Sequence, residues 1–188
     1  MKISTKKIAY SGLFTALTAV GAFIRIPMPL VPFTMQTFFV YTSGSILGAG
    51  PGFMSQLVYL LLGLSGLPVF AHGGGPGYIF KPTFGYLLAY PLASLFVGKL
   101  INSIKLNKTT GYRVIFEMIL VMFGGSVIIY FFGVIYLYIN SIFIIHKKIP
   151  FLIALWSGFV IFIPVDLIKI FFASWLTLRV KRSVKIVL

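Results

Sequence analysis

Residues 114–139 read VIFEMILVMFGGSVIIYFFGVIYLYI. The run holds one acid, Glu117, and neither a proline nor a base. It exceeds the about 20 apolar residues that carry a helix across a bilayer. Its apolar character is continuous rather than alternating, which argues for a helix in lipid and against the roughly 10-residue alternating strands of a membrane barrel. Five further apolar runs surround it, at 8–26, 33–48, 52–70, 82–104 and 150–178. Pro27, Pro29 and Pro32 separate the first two. Gly48, Gly50, Pro51 and Gly52 separate the next pair, and the 73–77 stretch the pair after that. His146, Lys147, Lys148 and Pro150 precede the last run. The expected fold is an all-α membrane protein of six transmembrane helices in one domain, residues 1–188.

Composition agrees. Of 188 residues, 59% are hydrophobic and 10% charged, and the mean hydropathy is +1.04. A soluble domain carries about 25% charged residues, and a chain this short cannot enclose so much apolar surface in water. The first run is long for a signal-peptide core and is read as a retained first helix. The absence of cysteine excludes disulfides, thiolate metal sites and cysteine nucleophiles. No long repeat is visible, and the chain is too short for two large inverted halves.

Sixteen Lys and Arg against two acids give a net charge of +14. The bases sit at the ends of apolar runs rather than along one polar face, so anionic headgroups explain them and nucleic acid does not. With a cytoplasmic N-terminus, the inner segments hold Lys2, Lys6, Lys7, Lys99, Lys105, Lys108, Arg113, Arg179, Lys181, Arg182 and Lys185. The outer segments hold Arg25, Lys81, Lys147 and Lys148. This asymmetry places both termini in the cytoplasm; the membrane expected is the plasma membrane.

Both acids fall inside apolar runs. Asp166 has Lys169 three residues on, one face of the same helix. Intramembrane ionisable groups persist when paired or when they face a polar cavity, so the pair is read as lining a ligand pocket. Pro164 removes a backbone donor just before it, which predicts a bend there. Glu117, four residues from Arg113, reads as an interfacial ion pair. The segment from Leu67 to Tyr86 is apolar, aromatic and rich in glycine (Gly73, Gly74, Gly75, Gly77). It reads either as a lid over an outward-facing pocket or as a flexible connector, with Lys81 placed to attract an anion. Thr34 and Gln36 offer donors and acceptors at a helix entry after Pro32. Gly12 and Ala16 form a small-xxx-small pair on the first helix, suited to close helix contact. His72 and His146 show no metal-ligand spacing. The glycine-rich stretch is not followed by Lys-Ser/Thr, so ATP would have to be used by another subunit.

The run Ile26-Pro27-Met28-Pro29-Leu30-Val31-Pro32-Phe33-Thr34-Met35-Gln36 resembles the signature of the BioY family, the biotin-specific substrate-binding (S) components of energy-coupling-factor (ECF) transporters. Leu60–Gly63, Gly66–Phe70, the glycine stretch, Pro82–Leu87 and Asp166-x-x-Lys169 resemble it too. The resemblance implies an S-component-like six-helix bundle with cytoplasmic termini. It implies biotin as ligand, no cofactor in this chain, and as partners a membrane coupling subunit and two ATPases. It places the docking of the coupling subunit on the first helix, where the family's Ala-x-x-x-Ala reads Gly12-x-x-x-Ala16. Lys81 departs from the family, whose members often carry a non-basic residue there.

Biotin presents two ureido N–H donors, one carbonyl acceptor and a carboxylate. Asp166 is expected to accept from an N–H, and Lys169 or Gln36 to donate to the carbonyl. Lys81 or the backbone amides of Gly74 and Gly75 would take the carboxylate, or Lys169 would. Phe33 and Tyr86 would pack on the apolar parts. One length is awkward: Asp166 would lie about 25 Å along a continuous helix from Pro150. Three rival readings are a binding subunit for riboflavin or thiamine, an intramembrane lipid-modifying enzyme using Asp166 and Glu117, and a purely structural membrane scaffold, against which the buried pair and the glycine-rich stretch argue.

Overall fold

Prolines decide where the first helix stops and how the second begins. The residue before a proline avoids helical dihedrals, and Ile26 and Val31 both precede one. In the computed structural model, α1 (Thr5–Phe23) therefore ends early, and Arg25–Ile26 (β1) pairs antiparallel with Phe33–Thr34 (β2). Helix α2 (Gln36–Leu47) begins only at Gln36. Ile26 and Phe33, expected within membrane helices, thus form a short hairpin. The structure describes residues 5–104, 111–146 and 149–183. Of the bases used to read topology, Lys2, Lys105, Lys108, Lys147, Lys148 and Lys185 lie outside these residues.

The other elements are α3 (Ala49–Leu64), α4 (Phe84–Ile101), α5 (Gly111–Phe143), α6 (Phe151–Gly158) and α7 (Ile163–Ser183). Gly48 alone, at φ +85°, separates α2 from α3. Pro51 falls within the first turn of α3, where its missing N–H costs nothing, so α3 starts before residue 52. Helix α3 ends at Leu64 rather than near 70. Gly66 takes φ +112°. Leu67 N–H then reaches the Leu62 carbonyl at 3.2 Å, and Gly66 N–H reaches that of Gly63 at 3.3 Å, the paired bonds of a glycine helix stop.

The last run is not one helix. It breaks at Phe159 (φ −138°, ψ −61°), passes through a 3-10 turn at Val160–Phe162, and resumes as α7. The break lies ahead of Pro164, where the bend was expected. Pro164 instead occupies the first turn of α7, which tolerates it. The break places Asp166 in the first turn of α7 rather than midway along a continuous helix.

Helix α2 is short, about 18 Å, and lies at the centre of the fold against α1, α3, α4 and α7. Small and hydroxyl side chains allow this. A Cβ on Gly44 would overlap the Ser94 carbonyl of α4, and one on Gly52 would stand 2.7 Å from Ser94 Oγ. A buried polar seam crosses four helices at this point. Gln56 donates to Thr18 (3.1 Å) and Ser43 (3.1 Å), and Ser43 bonds Ser94 at 2.9 Å. Ser45 ties α2 to Thr177 of α7 at 2.7 Å. Among the described residues, three helical stretches, 84–101, 111–143 and 151–183, are long and apolar enough to cross a membrane on their own; α3 is apolar but shorter.

The α2–α4 crossing generates a stability prediction. Gly44→Leu forces a side chain into the Ser94 backbone and is expected to cost about 3 kcal/mol or more. Gly50→Ala, with open space around its Cβ, should be near neutral. Thermal melts of the detergent-purified variants check this; equal melting points would mean the crossing is not tight.

Candidate binding cleft

Asp166 in the first turn of α7 and Lys169 in the second are both buried, with side chains 4% and 7% exposed. Lys169 Nζ donates to Asp166 Oδ1 at 2.6 Å, to the Thr34 carbonyl at 3.0 Å and to Thr37 Oγ1 at 3.0 Å. Asp166 Oδ2 accepts from Tyr130 of α5 at 2.8 Å and from Tyr41 of α2 at 3.3 Å. Both carboxylate oxygens and the ammonium are thus satisfied within the protein, the condition under which a buried pair is tolerated. The N-terminal turn of α7 further favours the carboxylate.

A cleft of about 500 Å³, counted to its open mouth, lies against this group. Lys169 and Gln36 provide polar lining; Tyr86, Tyr90, Tyr130 and Phe162 provide much of the aromatic wall. Asp166 does not line this cleft. It lies behind Lys169, beside a smaller cavity shared with Tyr130 and Ile170. Gln36 is held from both sides. It donates to Tyr59 OH at 2.6 Å and accepts from Thr34 Oγ1 at 3.0 Å, while Tyr59 donates to the Val69 carbonyl at 3.0 Å. Tyr86 donates to the Gly158 carbonyl at 2.9 Å, which pins the break between α6 and α7 to the cleft wall. Phe33 stands outside the lining and packs on Phe162, ring centres 4.3 Å apart.

The glycine-rich segment is folded rather than a loose connector. Phe70 is buried under Gly63 and packs on Tyr59 and Tyr78. Gly75 N–H bonds the Gly63 carbonyl at 2.7 Å. A Cβ on Gly74 would overlap the Leu67 carbonyl, so this glycine is needed for close backbone approach. Gly74 and Gly75 shape the segment without lining the cleft; Ala71 and Tyr78 line it. From α5, Tyr136 bonds the Ile79 carbonyl and Asn140 that of Phe80, the latter at 2.9 Å. Lys81 is exposed, 5.9 Å from the Tyr78 ring centre. His72 is held below its ordinary pKa by partial burial, then by the charges of Arg25 and Lys81.

Sequence reading placed Asp166, Lys169, Gln36 and Tyr86 in one neighbourhood, and the fold brings them together. It did not single out Thr37, Tyr41, Tyr59, Tyr78, Tyr90 or Tyr130. Their signal was a hydroxyl within an apolar run, which needs a partner once buried. Thr37 and Tyr41, four apart on α2, share a face. Glu117 pairs with Arg113 at 3.2 Å at an exposed site, so the two acids of the chain are each held by a base on their own helix. Gly12 and Ala16 lie on an exposed face of α1, with nothing within 4 Å of a Cβ on Gly12.

Known proteins share this architecture. The sequence pattern of the BioY family matches residues 1–186. A probable biotin transporter BioY of Lysinibacillus sphaericus is 48% identical over 136 residues, 72% of this chain and 66% of that protein. The biotin transporter BioY of Thermotoga maritima is 37% identical over 94% of this chain and 96% of its own. A crystal structure at 2.1 Å of the S-component for biotin from an ECF-type ABC transporter superposes with a TM-score of 0.83. It covers 96% of this chain and 95% of that one at 26% identity. With a family pattern that spans nearly its whole length, the chain belongs to the BioY family.

Proposed function

We propose that this chain is the biotin-binding membrane subunit of an ECF-type uptake transporter. The observation that carries the reading is the ammonium of Lys169, anchored by Asp166 and presented to an aromatic cleft under a folded loop. Biotin suits such a site. Its polar groups need a few fixed donors and acceptors, and its thiophane ring and alkyl chain need the apolar wall. Lys169 and Gln36 contact the ligand, and Asp166 orients the ammonium and balances its charge. Tyr86 and the neighbouring aromatics pack on the rings, with Phe33 supporting Phe162 from behind. Gly74 and Gly75 act through the shape of the loop, and Lys81 draws the anion to the mouth.

In this reading the chain crosses the plasma membrane six times, α6 and α7 together forming one crossing, with both termini cytoplasmic. The distribution of bases supports the orientation: Lys6, Lys7, Lys99, Arg113, Arg179, Lys181 and Arg182 fall at the helix ends opposite the cleft. The chain holds no cofactor. A membrane coupling subunit docks on the Gly12 and Ala16 face, and two ATPase subunits use the ATP that drives release.

Biotin titration of the purified protein tests the site. Asp166→Asn leaves a buried ammonium without its counter-ion and is expected to weaken binding by about 2–5 kcal/mol. Tyr130→Phe removes one hydrogen bond to Asp166 and should cost about 1–2 kcal/mol. Wild-type affinity in the Asn variant would remove the pair from the site.

Lys81→Met should weaken biotin more than its neutral amide analogue; an equal loss for both ligands would mean that Lys81 does not read the carboxylate. Gly12→Leu with Ala16→Leu should leave biotin binding intact and abolish co-purification with the coupling subunit, since close helix contact needs side chains no larger than a methyl. Normal co-purification and uptake by the double variant would move the docking face elsewhere.

A further inference from the structure

At the end of the bundle opposite the biotin cleft, the seam between α5 and α7 opens into a second cleft of about 490 Å³. Gly111, Tyr112 and Ile115 from the start of α5 face Trp175, Arg179 and Arg182 from the last turns of α7. The Arg179 guanidinium sits 5.3 Å from the centre of the Trp175 ring. The Arg182 terminal nitrogens come within 3.8 Å of where a Cβ on Gly111 would stand. Two guanidinium groups from successive turns of one helix therefore border the same space, beside the positive end of the 33-residue α5 dipole.

The protein supplies no acidic side chain for this space. It has only two, Glu117 and Asp166, and they are engaged with Arg113 at 3.2 Å and Lys169 at 2.6 Å. The anion that complements the cleft must come from outside the Asp and Glu of this chain. What lies beside the cleft narrows its source. Trp175 is 45% exposed, the amphipathic ring favoured at the membrane–water boundary. Farther along the same seam, past a buried contact between Ser174 and Met122, lies the smaller cavity beside Asp166, edged by Phe123, Ile163 and Leu167 as well as by Ser126 and Tyr130. Phe171, Phe172 and Leu167 are exposed on α7, as are Phe116 and Leu120 on α5. Leu167 lies about 18 Å from Arg179 along the helix, a length over which an acyl chain can lie.

We propose that this cleft binds an anionic glycerophospholipid. Its headgroup phosphate is held by Arg179 and Arg182, its glycerol region rests against Trp175 and Tyr112, and its chains run along the α5–α7 seam. The planar guanidinium suits bidentate contact with phosphate oxygens, and basic clefts between membrane helices at the cytoplasmic interface suit such headgroups. The leaflet follows from the orientation proposed above; binding itself does not depend on the biotin reading.

Native mass spectrometry of the detergent-purified protein, with dioctanoyl phosphatidylglycerol or dioctanoyl phosphatidylcholine added, tests the proposal. The wild type should retain the glycerol lipid at least tenfold better than the choline lipid. Arg179→Gln with Arg182→Gln should abolish that preference while biotin binding stays unchanged, which separates this site from the biotin cleft. If the double variant does not fold, Arg182→Gln alone should lower the preference and Trp175→Leu should shorten retention of both lipids. Equal retention of the two lipids by the wild type, or an unaltered preference in the arginine variants, would overturn the proposal. So would displacement of the bound lipid by millimolar inorganic phosphate, which would mark a soluble-anion site. Loss of the coupling subunit with lipid preference intact would mark a protein-docking surface instead and likewise overturn it.

Discussion

A single buried ion pair organises the ligand-facing half of this molecule. An ammonium placed among aromatic rings is stable only if its charge is balanced and its protons are used. Asp166 supplies the charge, and Thr34 and Thr37 use the remaining donors. Tyr130 and Tyr41 complete the carboxylate. These contacts join α7 to α5, α2 and the hairpin that precedes α2. The pair therefore fixes the relative position of the elements that line the cleft, and it holds the charge of Lys169 at the cleft wall.

A second constraint is the central position of α2. A short helix carrying Thr37, Thr42, Ser43, Gly44 and Ser45 is poorly suited to face lipid, and nine of its residues are buried. Its neighbours approach closely because Gly44, Gly52 and Ser94 meet without intervening side chains. Hydroxyls and the Gln56 amide then bond across the crossing. In lipid, where apolar surfaces gain little by meeting one another, such close packing and hydrogen bonding hold helices together. The two ends of the bundle are built on opposite terms. One end carries folded loops over an aromatic cleft, and the other carries the arginines at the end of α7.

The helical class, the membrane setting and the asymmetry of charge were legible in the sequence because each depends on composition and local order. Runs such as 114–139 have no soluble solution, and proline and glycine mark their limits. The Asp166–Lys169 pair was legible for the same reason, since i,i+3 spacing on a helix guarantees a shared face. So was the pairing of Arg113 with Glu117.

What only the tertiary structure decided are features that depend on groups distant in the chain. Proline at 164 suggested a bend there, but the backbone breaks at Phe159, where Tyr86 of α4 binds the Gly158 carbonyl; no local signal contains a partner 72 residues away. Gly74 and Gly75 looked like ligand-facing amides, and their conformations instead serve the packing of the loop on Leu67 and Gly63. Tyr41 and Tyr130 read as ordinary apolar-run residues until the fold set both hydroxyls against one carboxylate. Sequence alone determined that this chain is a helical membrane protein with a paired charge in its last apolar run, because lipid penalises the alternatives residue by residue. The fold decided which atom of that pair faces the cleft, because that depends on the helices packed around it.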